Sequence, residues 1–184
     1  MNKILLVCLL LISYNSNSQI GEGQKFCEES KIGNYFPVTS YNFNKKIFWY
    51  KTFYYEVKKG TKIINGKTYT EFEQEWEDKN ISLLYFREEN GVIYQYNQDT
   101  KEESIRYSIN FKEGDKWETA NRKDHYKIIS FTGELRTPYC IYKNLLVIEA
   151  KVSYGNFKFY YFRGHGYIGA TKDDKLVSCV TPER

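Results

Sequence analysis

Apolar and polar side chains alternate along most of the chain. From Ser104 to Phe111, Ile105, Tyr107, Ile109 and Phe111 fall on one face and Ser104, Arg106, Ser108 and Asn110 on the other. That is the period of a strand with one face in a core and one in water. Leu83 to Glu88 and Val92 to Asn97 flank Glu89-Asn90-Gly91, and Thr61 to Ile64 and Lys67 to Trp76 flank Asn65-Gly66. Asn-Gly supplies the positive φ angles of a tight hairpin, so both reads as strand, turn, strand. Turns at Asn97 to Thr100 and Lys112 to Asp115 continue the up-and-down course.

Ile47 to Val57 is an aromatic-rich run that reads as one central strand or one covered on both faces. Tyr126 to Thr132, Leu145 to Tyr154, Phe157 to Arg163, Tyr167 to Thr171 and Leu176 to Val180 follow, giving about ten or eleven strands. The helical pattern is weak: Gln24 to Lys31 allows a turn or two at most, or an irregular segment. An antiparallel sheet this large curls or splits into two. Short connections favour a single meander forming a closed or half-closed barrel. A crossover within Thr132 to Lys143, the longest unpatterned connection, would instead give a two-sheet β-sandwich.

The N-terminus departs from this pattern. Lys3, then the nine apolar residues Ile4 to Ile12, then a polar stretch to Gln19 have the three-part plan of a secretory signal peptide. Ser16-Asn17-Ser18 places cleavage after Ser18, making residues 1–18 a leader and 19–184 a single β domain, exported to the periplasm or the exterior. A lipid on Cys8 is the alternative, with only seven residues before it. The run is too short for a membrane-spanning helix, which needs about 20 residues, and no later segment comes closer.

Loss of Lys3 leaves 26 basic residues against 23 acidic ones, a net charge of +3, with the positive residues scattered among acids. No basic stripe tracks a phosphate backbone, so nucleic acid is not an expected partner. The mature chain keeps Cys27, Cys140 and Cys179. Two of them can pair in an oxidising compartment. Cys140 and Cys179 both lie in sheet-like segments and are the preferred pair; Cys27 with Cys179 is the rival. No cysteine pair has metal-knuckle spacing, and His125 and His165 are forty residues apart, so neither a metal nor another cofactor is expected.

The blocks Gly33-Asn34-Tyr35-Phe36-Pro37-Val38, Ile64-Asn65-Gly66-Lys67-Thr68-Tyr69, Phe86-Arg87-Glu88-Glu89-Asn90-Gly91-Val92-Ile93-Tyr94, Lys112-Glu113-Gly114-Asp115-Lys116-Trp117 and Gly164-His165-Gly166-Tyr167-Ile168-Gly169 cover much of the mature chain. In this order they resemble an uncharacterised family of small secreted β-rich proteins of Bacteroidetes-type bacteria. The resemblance implies fold and export and brings no catalytic residue. The chain departs from it where Asn42 to Lys46 intervene before Trp49.

Few residues point to chemistry. Gly164-His165-Gly166 could bring N–H groups to a phosphate, but a strand and not a helix follows it, so it reads as a structural turn with a solvated histidine. His125 follows Asp124, yet neighbours in a strand face opposite ways. Glu71, Glu73 and Glu75 share a face and allow acid–base work or Ca²⁺, or simply a solvated surface that discourages edge pairing. No catalytic residue is assigned.

The aromatics stand out: 18 Tyr, 12 Phe and 3 Trp, 18% of the chain. Trp49 to Tyr55 and Phe157 to Phe162 carry rings on both faces, more than one core face needs. A surplus face can stack on a sugar or line an apolar cavity, with Tyr50, Tyr54, Tyr160 and Phe162 as candidate lining. The expected function is a non-enzymatic binding domain for an apolar or carbohydrate ligand. The rivals are a structural or interaction module with an envelope protein as partner, and a carboxylate-dependent hydrolase.

Overall fold

The computed structural model describes residues 26–28, 33–38 and 44–182. The expected leader and cleavage site, and Cys8, lie outside them, as does most of the segment with weak helical pattern. Twelve strands form one antiparallel sheet: β1 (Lys45–Trp49), β2 (Thr52–Ile64), β3 (Lys67–Trp76), β4 (Ile81–Glu89), β5 (Val92–Asn97), β6 (Glu102–Ser108), β7 (Lys116–Glu118), β8 (His125–Arg136), β9 (Ile141–Val152), β10 (Gly155–Phe162), β11 (Gly166–Lys172) and β12 (Lys175–Thr181). Each strand pairs with its neighbours in sequence, except that β1 pairs with β12 and no ladder joins β6 to β7. The sheet is therefore a nearly closed meander barrel, zipped where the two ends of the chain meet and open in the middle of the sequence.

The expected Asn-Gly hairpins are present, with positive φ at both residues of Asn65-Gly66 and Asn90-Gly91. Two expectations are corrected. The run Ile47 to Val57 is not one strand: it turns at Tyr50-Lys51, Trp49 opposing Thr52 and Ile47 opposing Tyr54. Tyr50 takes φ 54°, a conformation seldom adopted by a bulky side chain, and its N–H donates to the Val177 carbonyl at 2.7 Å. The ladder with β12 thus imposes a turn that no Gly or Asn announces. Thr132 to Lys143 is no crossover either, but the end of the β8–β9 hairpin, closed where Thr137 N–H donates to the Cys140 carbonyl. With it the sandwich alternative falls.

That hairpin explains the rings on both faces of β10. Phe157, Phe159 and Tyr161 join the core inside the barrel, while Tyr160 and Phe162 join a second cluster with Leu135, Tyr142, Leu145 and Val147. Register shifts near Ser130, Gly133 and Leu135 bend β8, as bulges do. Leu135 then lies 2.9 Å from where a Cβ on Gly169 of β11 would stand, three strands away in the ladder. The hairpin end folds over the outer face of the sheet, so both sets of rings are buried.

The open seam is closed by side chains. Tyr107, Phe111, Trp117 and Tyr126 form a chain of ring contacts with centroids 6.2, 4.8 and 5.4 Å apart, running from β6 across the connection to β7 and β8. The Trp117 Nε1 group is buried there without a hydrogen-bond partner among the described residues. Residues 33–38 enter below: Phe36 stacks on Tyr107 at 4.8 Å and on Tyr161 at 4.3 Å, and Tyr35 meets Phe131 at 6.0 Å. Burying each such ring stabilises by about 1.5–3 kcal/mol.

The disulfide also differs from expectation. Cys140 pairs with Cys27, not Cys179, their Cα atoms 5.6 Å apart. Cys179 is a free, buried thiol on β12, directly opposite Phe48 of β1. A strand assignment for Cys140 and Cys179 favoured their pairing, but Cys140 sits in the folded-over turn, where it meets the N-terminal segment. The bridge closes a sequence separation of 113 residues, so the Cys27→Ala variant should lose about 2–4 kcal/mol in urea unfolding. Peptide mapping without reduction should yield the Cys27–Cys140 linked pair, with Cys179 alkylated only after unfolding.

Candidate functional site

Turns of a meander alternate between the two ends of its barrel. Those around residues 50–51, 77–80, 98–101, 119–124, 153–154 and 173–174 share one end, and the N-terminal segment occupies the other. A cavity of about 640 Å³ fills the interior between them. Its lining reaches the turn end at Trp76, Asn97, Thr119, Asp124 and Tyr154, and the plugged end at Phe36, Pro37 and Val38. Tyr154 is 64% exposed, so the turn end is the mouth.

The walls follow from strand registers. On β3, Phe72, Gln74 and Trp76 face inward, and Glu71, Glu73 and Glu75 face outward beside exposed lysines: Lys59 to Glu73 at 3.2 Å and Lys79 to Glu75 at 2.9 Å. Hydrogen bonding to Lys79 holds the Glu75 carboxyl below its ordinary range. This row lies outside the cavity, on a solvated face, and gives no support to the hydrolase reading.

β6 departs from its alternation. Tyr107 pairs with Ile93 but Ile105 pairs with Tyr94, leaving Arg106 as an extra residue. Such a bulge re-aims side chains: Ile105, expected in the core, is 38% exposed, and Arg106, expected in water, lines the cavity. Its Nη2 donates to the Tyr161 hydroxyl at 2.9 Å, and its guanidinium lies 5.3 Å from the Tyr126 ring centre. Burial opposes its charge, but the oxygens of Tyr161 and Tyr126 more than offset this and its pKa is raised.

Lys45 lies on the opposite wall, 3% exposed, donating to the carbonyls of His165 and Tyr167. Burial lowers its pKa to about 7, the charge of Glu56 opposing. Glu56, directly across from Lys45 in the ladder, accepts from Gln74 Nε2 at 2.8 Å. Burial raises the pKa of Tyr54, Tyr161 and Tyr167, so their hydroxyls remain protonated donors in the interior.

Of the four ring residues singled out in the sequence, Tyr54 lines the cavity, packed on Trp76 at 4.7 Å. Tyr50 stands 54% exposed on the mouth-end turn. Tyr160 and Phe162, against expectation, do not line the cavity: they lie in the second cluster, Tyr160 bonded to Thr171 and Phe162 edge-on to Tyr142. Lys45 was open to detection, since it shares the period of Ile47 and Trp49. Arg106 was not, because a clean alternation pointed it outward.

His165 is not the solvated residue expected. It is 5% exposed, stacked on Phe162, with Nε2 2.8 Å from the Glu28 carbonyl. Gly164 N–H donates to the Asn34 carbonyl, and Gly33, at φ 119°, comes so close that a Cβ there would meet Gly164 Cα at 3.2 Å. The Gly-rich turn is thus a dock for the N-terminal segment. His125 lies outside the cavity against Glu118, 3.4 Å away.

No family model and no curated protein matches this chain. Among solved structures, a lipoprotein candidate from Parabacteroides distasonis ATCC 8503 is similar over 83% of this chain and 98% of that one, at 12% identity and a TM-score of 0.40. A likeness at that level carries no functional information. No helix among the described residues is long and apolar enough to cross a membrane.

Burial holds the His165 pKa near 4, below the 6.5 of a free imidazole. Between those values the unfolded chain binds more protons, so stability should fall as pH drops from about 6.5 to 4, by up to about 3 kcal/mol. Urea unfolding at pH 4.5 and pH 7 should show this difference shrinking in His165→Asn and persisting in His125→Asn.

Proposed function

We propose that this protein is an exported, non-enzymatic binding module that holds an apolar or carbohydrate ligand inside its barrel. The observation that carries this reading is the cavity of about 640 Å³ with aromatic walls, a plugged floor and a mouth among the turns. Binding sites for small molecules are concave, mostly apolar, and fixed by a few polar groups. Trp49, Tyr54, Phe72, Trp76, Leu84 and Phe86 supply the apolar surface here, and Arg106, Gln74 and Gln95 the polar groups. Tyr54 is the ligand contact retained from the sequence.

Export is supported by the leader-like run Ile4 to Ile12 and by the Cys27–Cys140 bridge, since structural disulfides persist in oxidising compartments. Residues 19–184 then act as one β domain, of the secreted β-rich kind its turn blocks resemble.

A second reading, an interaction module for an envelope protein, is favoured by one feature. Tyr50, Tyr139 and Leu176, all exposed, border an outer recess of about 430 Å³ with Phe48 and Pro138.

Uptake of the neutral apolar dye N-phenyl-1-naphthylamine should be saturable and quench tryptophan emission from Trp49 and Trp76. Leu84→Trp, which fills the cavity, should weaken uptake about tenfold or more while the circular dichroism and unfolding midpoint stay close to the parent. Equal uptake by the variant would move the site off the interior. Saturable binding of an envelope protein lost on Tyr139→Asp, with no interior ligand, would favour the second reading.

A further inference from the structure

We propose that the ligand is an amphiphile with one carboxylate, seated on Arg106 and the Tyr161 hydroxyl, its hydrocarbon body lying along the aromatic wall. The proposal rests on the interior-binding reading and names the ligand class for that same cavity.

Arg106 lines the cavity yet forms no ion pair with any described carboxylate. A guanidinium in a low-dielectric site ordinarily has a carboxylate or an equivalent acceptor. Here it has the neutral hydroxyls of Tyr161 and Tyr126, with the Tyr126 ring centre 5.3 Å away. Its planar fork of N–H donors suits two-point recognition of a carboxylate, and the Tyr161 hydroxyl adds a neutral donor beside it.

The cavity's own acids are placed elsewhere. Glu56 is on the β2 wall, bonded to Gln74 and opposite Lys45. Asp124 is at the mouth, in the turn before β8. These two negative charges disfavour a doubly charged head such as a phosphate monoester and leave room for a single one.

β6 runs from the mouth toward the plug, and Arg106 comes after Ser104 and just before Tyr107, on which the plug residue Phe36 stacks. The Arg106 backbone is therefore in the deep half, while its guanidinium reaches Tyr126, the second residue of β8, and its charge acts on Tyr154 at the mouth; the apolar wall of Phe159, Phe86, Leu84, Trp49 and Trp76 shares the cavity with it. An acid head on the guanidinium with its apolar tail against that wall satisfies both parts of the site.

The test is titration of the full mature protein with tetradecanoate, 1-tetradecanol, tetradecyl phosphate and an oligosaccharide bearing a uronic acid, below micellar concentrations, followed by tryptophan quenching and calorimetry. Wild type should bind tetradecanoate about 10- to 100-fold more tightly than 1-tetradecanol. Arg106→Gln should bring the acid-over-alcohol ratio close to one, and Arg106→Lys should keep part of it. The acid-over-alcohol ratio in wild type needs no variant, so a misfolded Arg106→Gln leaves the proposal testable.

Equal binding of acid and alcohol, stronger binding of the phosphate, or a preference that survives Arg106→Gln overturns the carboxylate assignment and leaves interior binding intact. Binding of the acidic oligosaccharide in place of the fatty acid overturns the hydrocarbon body. Failure of all four to bind overturns the interior-binding reading itself.

Discussion

Closing the sheet is the constraint on which the rest of this structure depends. β1 and β12 bring the two ends of the sheet-forming chain into one ladder, from Lys46 opposite Thr181 to Trp49 opposite Ser178. That pairing leaves the unpaired edges at β6 and β7, in the middle of the sequence. Edge strands are normally a liability. Here rings cover the gap, with Phe36 stacked between Tyr107 and Tyr161 and the Tyr107–Phe111–Trp117–Tyr126 chain beside it. The N-terminal segment is thus part of the wall, which accounts for its anchors: the Cys27–Cys140 bridge, the His165 contact with Glu28, and the tight approach of Gly33 to Gly164.

The same arrangement makes the interior usable. A barrel of twelve strands is too wide for its side chains to fill, and the plug closes one end only. What remains is a cavity whose walls are largely aromatic and whose charged groups are spaced apart: Arg106 on β6, Lys45 and Glu56 on the facing wall, Asp124 at the rim. Lys45 is consumed by the carbonyls of His165 and Tyr167, so it ties the floor turn to β1. Arg106 is held by neutral tyrosine hydroxyls, those of Tyr161 and Tyr126, and meets no described carboxylate. The difference between the two buried cations separates a framework residue from a candidate binding residue.

Much of the fold was legible because period two and Asn-Gly turns are local properties. β3, β4, β5 and β12 fall close to where alternation places them, and Asn65-Gly66 and Asn90-Gly91 turn as their φ preferences require. The misses share a cause. Tyr50 turns because its N–H meets Val177 on another strand; Arg106 faces inward because β5 and β6 slip by one residue; Tyr160 and Phe162 are covered because β8 bends across β9 and β10. Each is set by a partner distant in sequence, which alternation along a single strand cannot register.

By itself the sequence determined an all-β meander, its turn positions and an excess of rings, since these follow from steric preferences of residues and their immediate neighbours. Only the tertiary structure decided that one set of rings walls a cavity while another lies under a folded hairpin, that Cys140 meets Cys27, and that Arg106 lines that cavity. Those outcomes depend on register, bulges and the closing of the sheet on itself, where a shift of one residue exchanges inside for outside.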